Sequence, residues 1–121
     1  MADALTERII GAAIEVHRHL GPGLLESIYE DALCIELELV GLKSQRQAML
    51  KTVYKGHVLS PQRLDILVED EVVVELKSLA KMGDAHTAQV LSYLKATGLK
   101  RGLLINFGEQ RLIDGVKRIS L

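Results

Sequence analysis

The chain has 121 residues, 48% of them apolar and 26% charged, with a formal net charge of −1. That is enough for one domain with a real core and too little for two, so residues 1–121 are read as a single unit. A strongly basic nucleic-acid binder is excluded, as is a disulfide scaffold or thiolate metal cluster, because Cys34 is the one cysteine.

No apolar run approaches the ~20 residues that span a bilayer, so no membrane association is expected. The opening "MADALTERII" lacks a basic start and a small-residue cleavage site, so it does not read as a secretory signal. These features point to the cytoplasm. Cys34 lies in an apolar helical pattern and reads as a buried, inert thiol. Charge is unevenly spread: −6 over residues 1–40, +2 over 41–97 and +3 over 98–121. Contact with a phosphate backbone would therefore need a local patch. Tyr29, Tyr54, Tyr93 and Phe107 are too few aromatics for a base-stacking platform.

The first element is a helix from Thr6 to His19, with Thr6 or Asp3 able to cap it. Ile9, Ile10, Ala13, Ile14 and His17 recur at helical spacing, and Gly21-Pro22-Gly23 stops it. A second helix is predicted over Leu25 to Val40, with Ile28, Ala32, Ile35 and Leu39 as its apolar stripe and Gly41 as the C-terminal cap. "RQAMLKTVY" then alternates as a strand, with a turn at Lys55-Gly56 and a continuation through "HVLS". Leu64 to Val68 and Val72 to Lys77 are strands around the turn Glu69-Asp70-Glu71, apolar on both faces as in a sheet covered on both sides. Asp84 can cap a helix running to Ala96, closed by Gly98. "RGLLINF" reads as a buried strand, and the tail predicts a short edge strand near Val116–Ile119. The order is ααβββαβ, with room for one more strand, which suggests an α/β fold with a mixed sheet flanked by helices.

The hairpin carries three charges. With its turn centred on Asp70, Asp65 falls opposite Glu75; a one-residue shift would make them diagonal neighbours. Glu75 and Lys77, two apart, share a face. Two close carboxylates repel unless a cation lies between them. A lysine relieves part of that, and a hard divalent ion such as Mg²⁺ relieves more. Such a cluster can hydrolyse a phosphodiester, although a solvated ion pair at a strand end would also account for it.

Glu26, in the first turn of the second helix, is favoured there by the helix dipole, with Tyr29 on the same side. His86, Gln89 and Tyr93 lie at i, i+3 and i+7, a polar stripe that either contacts substrate phosphate or faces solvent. His17 and His57 receive no role.

Gly23-Leu-Leu-Glu26-Ser-Ile-Tyr29, "RLDILVED…VVVELKS" and "AQVLSYLKATGL…GLLINFG" occur in the order found in the bacterial and archaeal GxxExxY proteins, a branch of the PD-(D/E)XK nuclease superfamily. The chain resembles that family nearly end to end. The resemblance implies a restriction-endonuclease-like core and Mg²⁺ or Mn²⁺ held by Asp65, Glu75, the main-chain carbonyl of Leu76 and the helix acid Glu26. It implies that Lys77 positions or activates the attacking water, and that Gln89 and Tyr93 form the Q-xxx-Y motif of exonuclease-like members. The sequence departs from the superfamily pattern at Leu64, where a proline would precede the aspartate; Pro61 is the nearest one.

The expected activity is a metal-dependent nuclease acting on DNA before RNA, with Asp65, Glu75, Lys77 and Glu26 catalytic and Gln89, Tyr93, Tyr29 and His86 contacting substrate. A nuclease-fold binding or interaction module with little catalysis is the alternative, and homodimerisation and a larger complex stay open.

Overall fold

The computed structural model describes residues 3–121. Helix α1 spans Ala4–Leu20 and begins where the Asp3 side chain accepts the Thr6 amide at 2.9 Å, so Asp3 is the cap. Helix α2 spans Glu26–Leu39. Strand β1 covers Ser44–Leu50, and the two-residue strands β2 (Val53–Tyr54) and β3 (His57–Val58) form a small hairpin of their own. Strands β4 (Gln62–Val68) and β5 (Val72–Lys77), helix α3 (Asp84–Thr97), strand β6 (Arg101–Asn106), a 3-10 turn at Leu112–Gly115 and strand β7 (Val116–Ser120) complete the order.

Five strands make one mixed sheet in the order β1-β4-β5-β6-β7, antiparallel except for the central β5–β6 pair. Parallel neighbours need a long crossover, and α3 supplies it. This is an α/β, restriction-endonuclease-like architecture. Helices α1 and α2 cover one face over the larger core, built on Ile9, Leu33, Ile66, Val74, Leu76 and Phe107. Helix α3 covers the other over Leu64, Val73, Val90, Leu94 and Leu104. The predicted edge strand near Val116–Ile119 is β7. Among the described residues, no helix is long and apolar enough to cross a membrane.

Four details depart from expectation. The strand expected over "RQAMLKTVY" is interrupted at Lys51-Thr52, so that its end pairs in the small hairpin instead of the main sheet. Cys34 is half-buried and not fully enclosed. Helix α3 is capped by Gly83, and Asp84 is its first helical residue. Helix α2 is rotated from the predicted stripe: Tyr29, Leu33 and Leu37 are buried, while Ile28, Ile35 and Leu39 face outward, Ile35 at 61% and Leu39 at 73% exposure. Both stripes repeat at helical spacing, and the buried one wins because Tyr29 stacks on Phe107, ring centroids 4.4 Å apart.

Candidate active site

The site is made by a defect in the sheet. Glu69 and Asp70 adopt positive φ of +54° and +55°, and with Glu71, whose amide donates to the Val68 carbonyl at 3.0 Å, they make a tight three-residue turn that fixes the β4–β5 register as Val68–Val72, Leu67–Val73 and Ile66–Val74. Continued one step, that register sets Asp65 across from Glu75, as the centred turn predicts. The regular ladder stops there. The Glu75 carboxylate accepts the Asp65 amide at 3.3 Å, and the Asp65 carboxylate accepts the Leu76 amide at 2.8 Å. Each acid thus satisfies main chain that a ladder bond would otherwise serve.

Alternation along β4 breaks at the same point. Leu64 and Ile66 are both even-numbered, yet they pack into opposite cores. On β1, Gln47 stands between the Arg46–Ile66 and Ala48–Leu64 pairs, opposite Asp65, with φ of +51°. A non-glycine residue in the left-handed region costs about 1–2 kcal/mol, and such strain gathers at functional sites.

Glu75 is 3% exposed. Burial first, and then the Asp65 charge, push its carboxyl up to about 7, while the Asp65 amide and Lys77 pull the other way. Asp65 is also raised, chiefly by burial, against the Leu76 amide. Lys77 Nζ lies 3.8 Å from Glu75 Oε2. The cluster thus holds more negative charge than one lysine offsets.

Glu26 is exposed at the start of α2, and its charge is felt by both Asp65 and Glu75. Tyr93 is buried on α3. Its hydroxyl accepts from Gln89 Nε2 at 2.9 Å and donates to the Arg63 carbonyl at 3.2 Å. Burial, then the charge of Glu75, raises its pKa. His86 is half-buried in the first turn of α3, with no hydrogen bond among the described residues that ties it to the cluster.

Tyr29 does not reach the site. Its ring is fully buried against Phe107, and its hydroxyl donates to the Gly21 carbonyl and accepts the Leu24 amide at 3.1 Å. The expected substrate contact is therefore corrected: Tyr29 anchors the Gly21–Leu24 turn. His17 is a satisfied core histidine, its Nε2 2.8 Å from the Glu109 carbonyl.

Sequence reasoning missed Glu30. Buried one turn beyond Glu26, it raises Asp65 more than Glu26 does. Arg46 holds its Oε2 at 2.8 Å and Gln47 its Oε1 at 2.8 Å. The signal available was a second acid at i+4 from Glu26.

No group of three His, Cys, Asp or Glu side chains forms a ready cage among the described residues. Two under-neutralised carboxylates beside main chain still make the hard-oxygen donor set that a divalent cation completes with water and phosphate, and their upward pKa shifts are what such a cation would reverse. The residues therefore fit a divalent ion.

No curated protein matches the chain in sequence. Its fold is similar to the crystal structure of SSO0001, with a TM-score of 0.54 and 16% identity over 98% of this chain and 78% of that one. The family model of the PD-(D/E)XK nuclease superfamily matches residues 3–119. With nearly its whole length matched and its paired acids and lysine gathered at one sheet end, the chain belongs to the PD-(D/E)XK nuclease superfamily.

Proposed function

We propose that this protein is a metal-dependent phosphodiester hydrolase of the GxxExxY branch, a single catalytic domain that cuts DNA. The observation that carries the reading is the convergence of Asp65, Glu75 and Lys77 where the β4–β5 ladder opens. Asp65 and Glu75, with the Leu76 carbonyl and Glu26, would hold Mg²⁺ or Mn²⁺. That ion, when bound, supplies Lewis-acid polarisation of a phosphoryl oxygen.

The chain's own groups do the rest. The Lys77 ammonium orients the attacking water and offsets charge developing on the phosphate. Glu75 keeps that ammonium in place across 3.8 Å. Gln89 fixes the Tyr93 hydroxyl, which holds the β4 main chain at Arg63 and so sets the position of Asp65. Burial of Glu75 keeps bulk water from screening these interactions.

The test is turnover of end-labelled single- and double-stranded DNA and RNA with Mg²⁺, Mn²⁺ or EDTA, comparing wild type with Asp65→Asn. The reading requires metal-dependent cutting that falls at least about 100-fold in the variant, roughly the size of effect seen when a preorganised electrostatic group is removed. Cutting by Asp65→Asn at the wild-type rate would place the chemistry elsewhere.

A further inference from the structure

The β2–β3 hairpin is an arm. Every residue from 53 to 63 is exposed, and among the described residues its two strands pair only with each other. Lys55 and Gly56, at φ of +49° and +81°, close it in a tight turn. It leaves the sheet at the Leu50–Gln62 pair, the last rung between β1 and β4. Asp65 is three residues along β4 from that rung, about 10 Å at strand rise. The arm therefore roots at the end of the sheet that carries the candidate site.

Its charge sets it apart. Residues 39–64 contain five lysines and arginines and no Asp or Glu, in a chain whose net charge is −1. Lys43 and Arg46 are engaged by Asp70, Glu30 and Asp31. Lys51, Lys55 and Arg63 are exposed and make no ion pair among the described residues. They border a ribbon whose one face carries Val53 and Val58 and whose other carries Tyr54, with Lys55 Nζ 5.4 Å from the Tyr54 ring centre. An all-basic rim with no acid to repel phosphate is electrostatically complementary to a nucleic-acid backbone.

The shape narrows the partner further. A two-stranded ribbon fits the B-form major groove, about 12 Å wide, whereas the A-form major groove is too deep and narrow for side chains to read. Arg63 is also tied to the site, because Tyr93 holds its carbonyl at 3.2 Å.

We propose that the arm docks into the major groove of double-stranded DNA, with Lys51, Lys55 and Arg63 on its phosphates, and thereby lays a neighbouring phosphodiester at the Asp65–Glu75 end of the sheet. The proposal rests on the nuclease reading for what happens at that phosphate, but not for the binding itself.

The experiment measures binding of a labelled 30-base-pair DNA duplex and of the RNA duplex of the same sequence by fluorescence anisotropy. It is done with Mg²⁺ in a Lys77→Ala background, which separates binding from turnover, across a salt series. The arm variant is Lys51→Ala/Lys55→Ala/Arg63→Ala, whose folding is checked by circular dichroism. Each phosphate contact contributes about 0.9 to the slope of log affinity against log salt. The variant should therefore lose about 3 units of slope and at least tenfold in DNA affinity, and the parent should prefer the DNA duplex. Unchanged affinity and slope in the folded variant would overturn the proposal. Equal binding of the RNA duplex would also overturn it, as would a concentration-dependent dimer that Val53→Asp/Val58→Asp dissolves. DNA binding that depends on the arm, with no cutting by wild type, would sustain the arm and sink the nuclease reading alone. Absence of binding to either duplex would overturn the arm proposal and leave the nuclease reading to its own cleavage test.

Discussion

Replacing Glu75 by glutamine should stabilise the metal-free protein above neutral pH while abolishing activity. The Glu75 carboxyl rises from 4.5 to about 7 because it is buried beside Asp65. A raised folded-state value means that the native state holds the proton more tightly than the unfolded chain does. The associated stability is present below about 4.5 and is lost as pH climbs through about 7. At 1.36 kcal/mol per unit, the ionised side chain costs at most about 3 kcal/mol at pH 8. Glutamine keeps the volume and an oxygen that can still accept the Asp65 amide, as Glu75 does at 3.3 Å. Some of the gain is offset by losing the Lys77 partner, so about 1–3 kcal/mol is expected. The assay is urea denaturation in EDTA at pH values from 4.5 to 8.5. Wild type should lose stability across that range and Glu75→Gln should lose less, with the two curves diverging upward in pH. Adding Mg²⁺ should raise wild type and leave the variant nearly unmoved, since binding to the native state stabilises it by mass action. Parallel curves, or a variant less stable than wild type at pH 8, would refute the claim that Glu75 is buried with uncompensated charge.

Other outcomes follow from the packing. Tyr29→Phe removes the hydroxyl that serves both Gly21 and Leu24 and should cost about 1–3 kcal/mol in denaturant, with the cleavage rate per folded molecule unchanged. Leu33→Ala should cost about 2–5 kcal/mol as a core truncation, whereas Ile35→Glu, on the outward face, should stay within about 0.5 kcal/mol; the reverse order of costs would mean that α2 is rotated as its Ile28–Leu39 stripe suggests. At Gly108 a Cβ would stand 2.1 Å from the Leu79 carbonyl oxygen, so Gly108→Ala should cost about 3 kcal/mol or more by thermal melt.

The hairpin was legible because its register is set locally. Three residues at its tip, Glu69 to Glu71, turn the chain between the paired Val68 and Val72, and every facing pair follows, Asp65 and Glu75 included. Helix α2 was misread for a physical reason. Tyr29, Leu33 and Leu37 form one apolar row and Ile28, Ala32, Ile35 and Leu39 another, so periodicity alone could not choose. The choice was made by Phe107, far along the chain, stacking on Tyr29. The burial of Glu30 and the left-handed backbone at Gln47 were invisible for the same reason, since both depend on how β1 lies against α2. The basic arm was present in the sequence but masked. Summed over residues 41–97 the charge is +2, because the net −3 of residues 65–97 offsets part of the +5 of the acid-free run before them.

The central claim is that Asp65, Glu75 and Lys77 act together on a phosphodiester. The most direct measurement is single-turnover cleavage of double-stranded DNA by wild type and Lys77→Ala, each with Mg²⁺ and with EDTA. The account predicts cutting by wild type in Mg²⁺ alone, and a loss of about 100-fold or more in the folded variant. Equal rates for wild type and Lys77→Ala, or cutting that persists in EDTA, would contradict it.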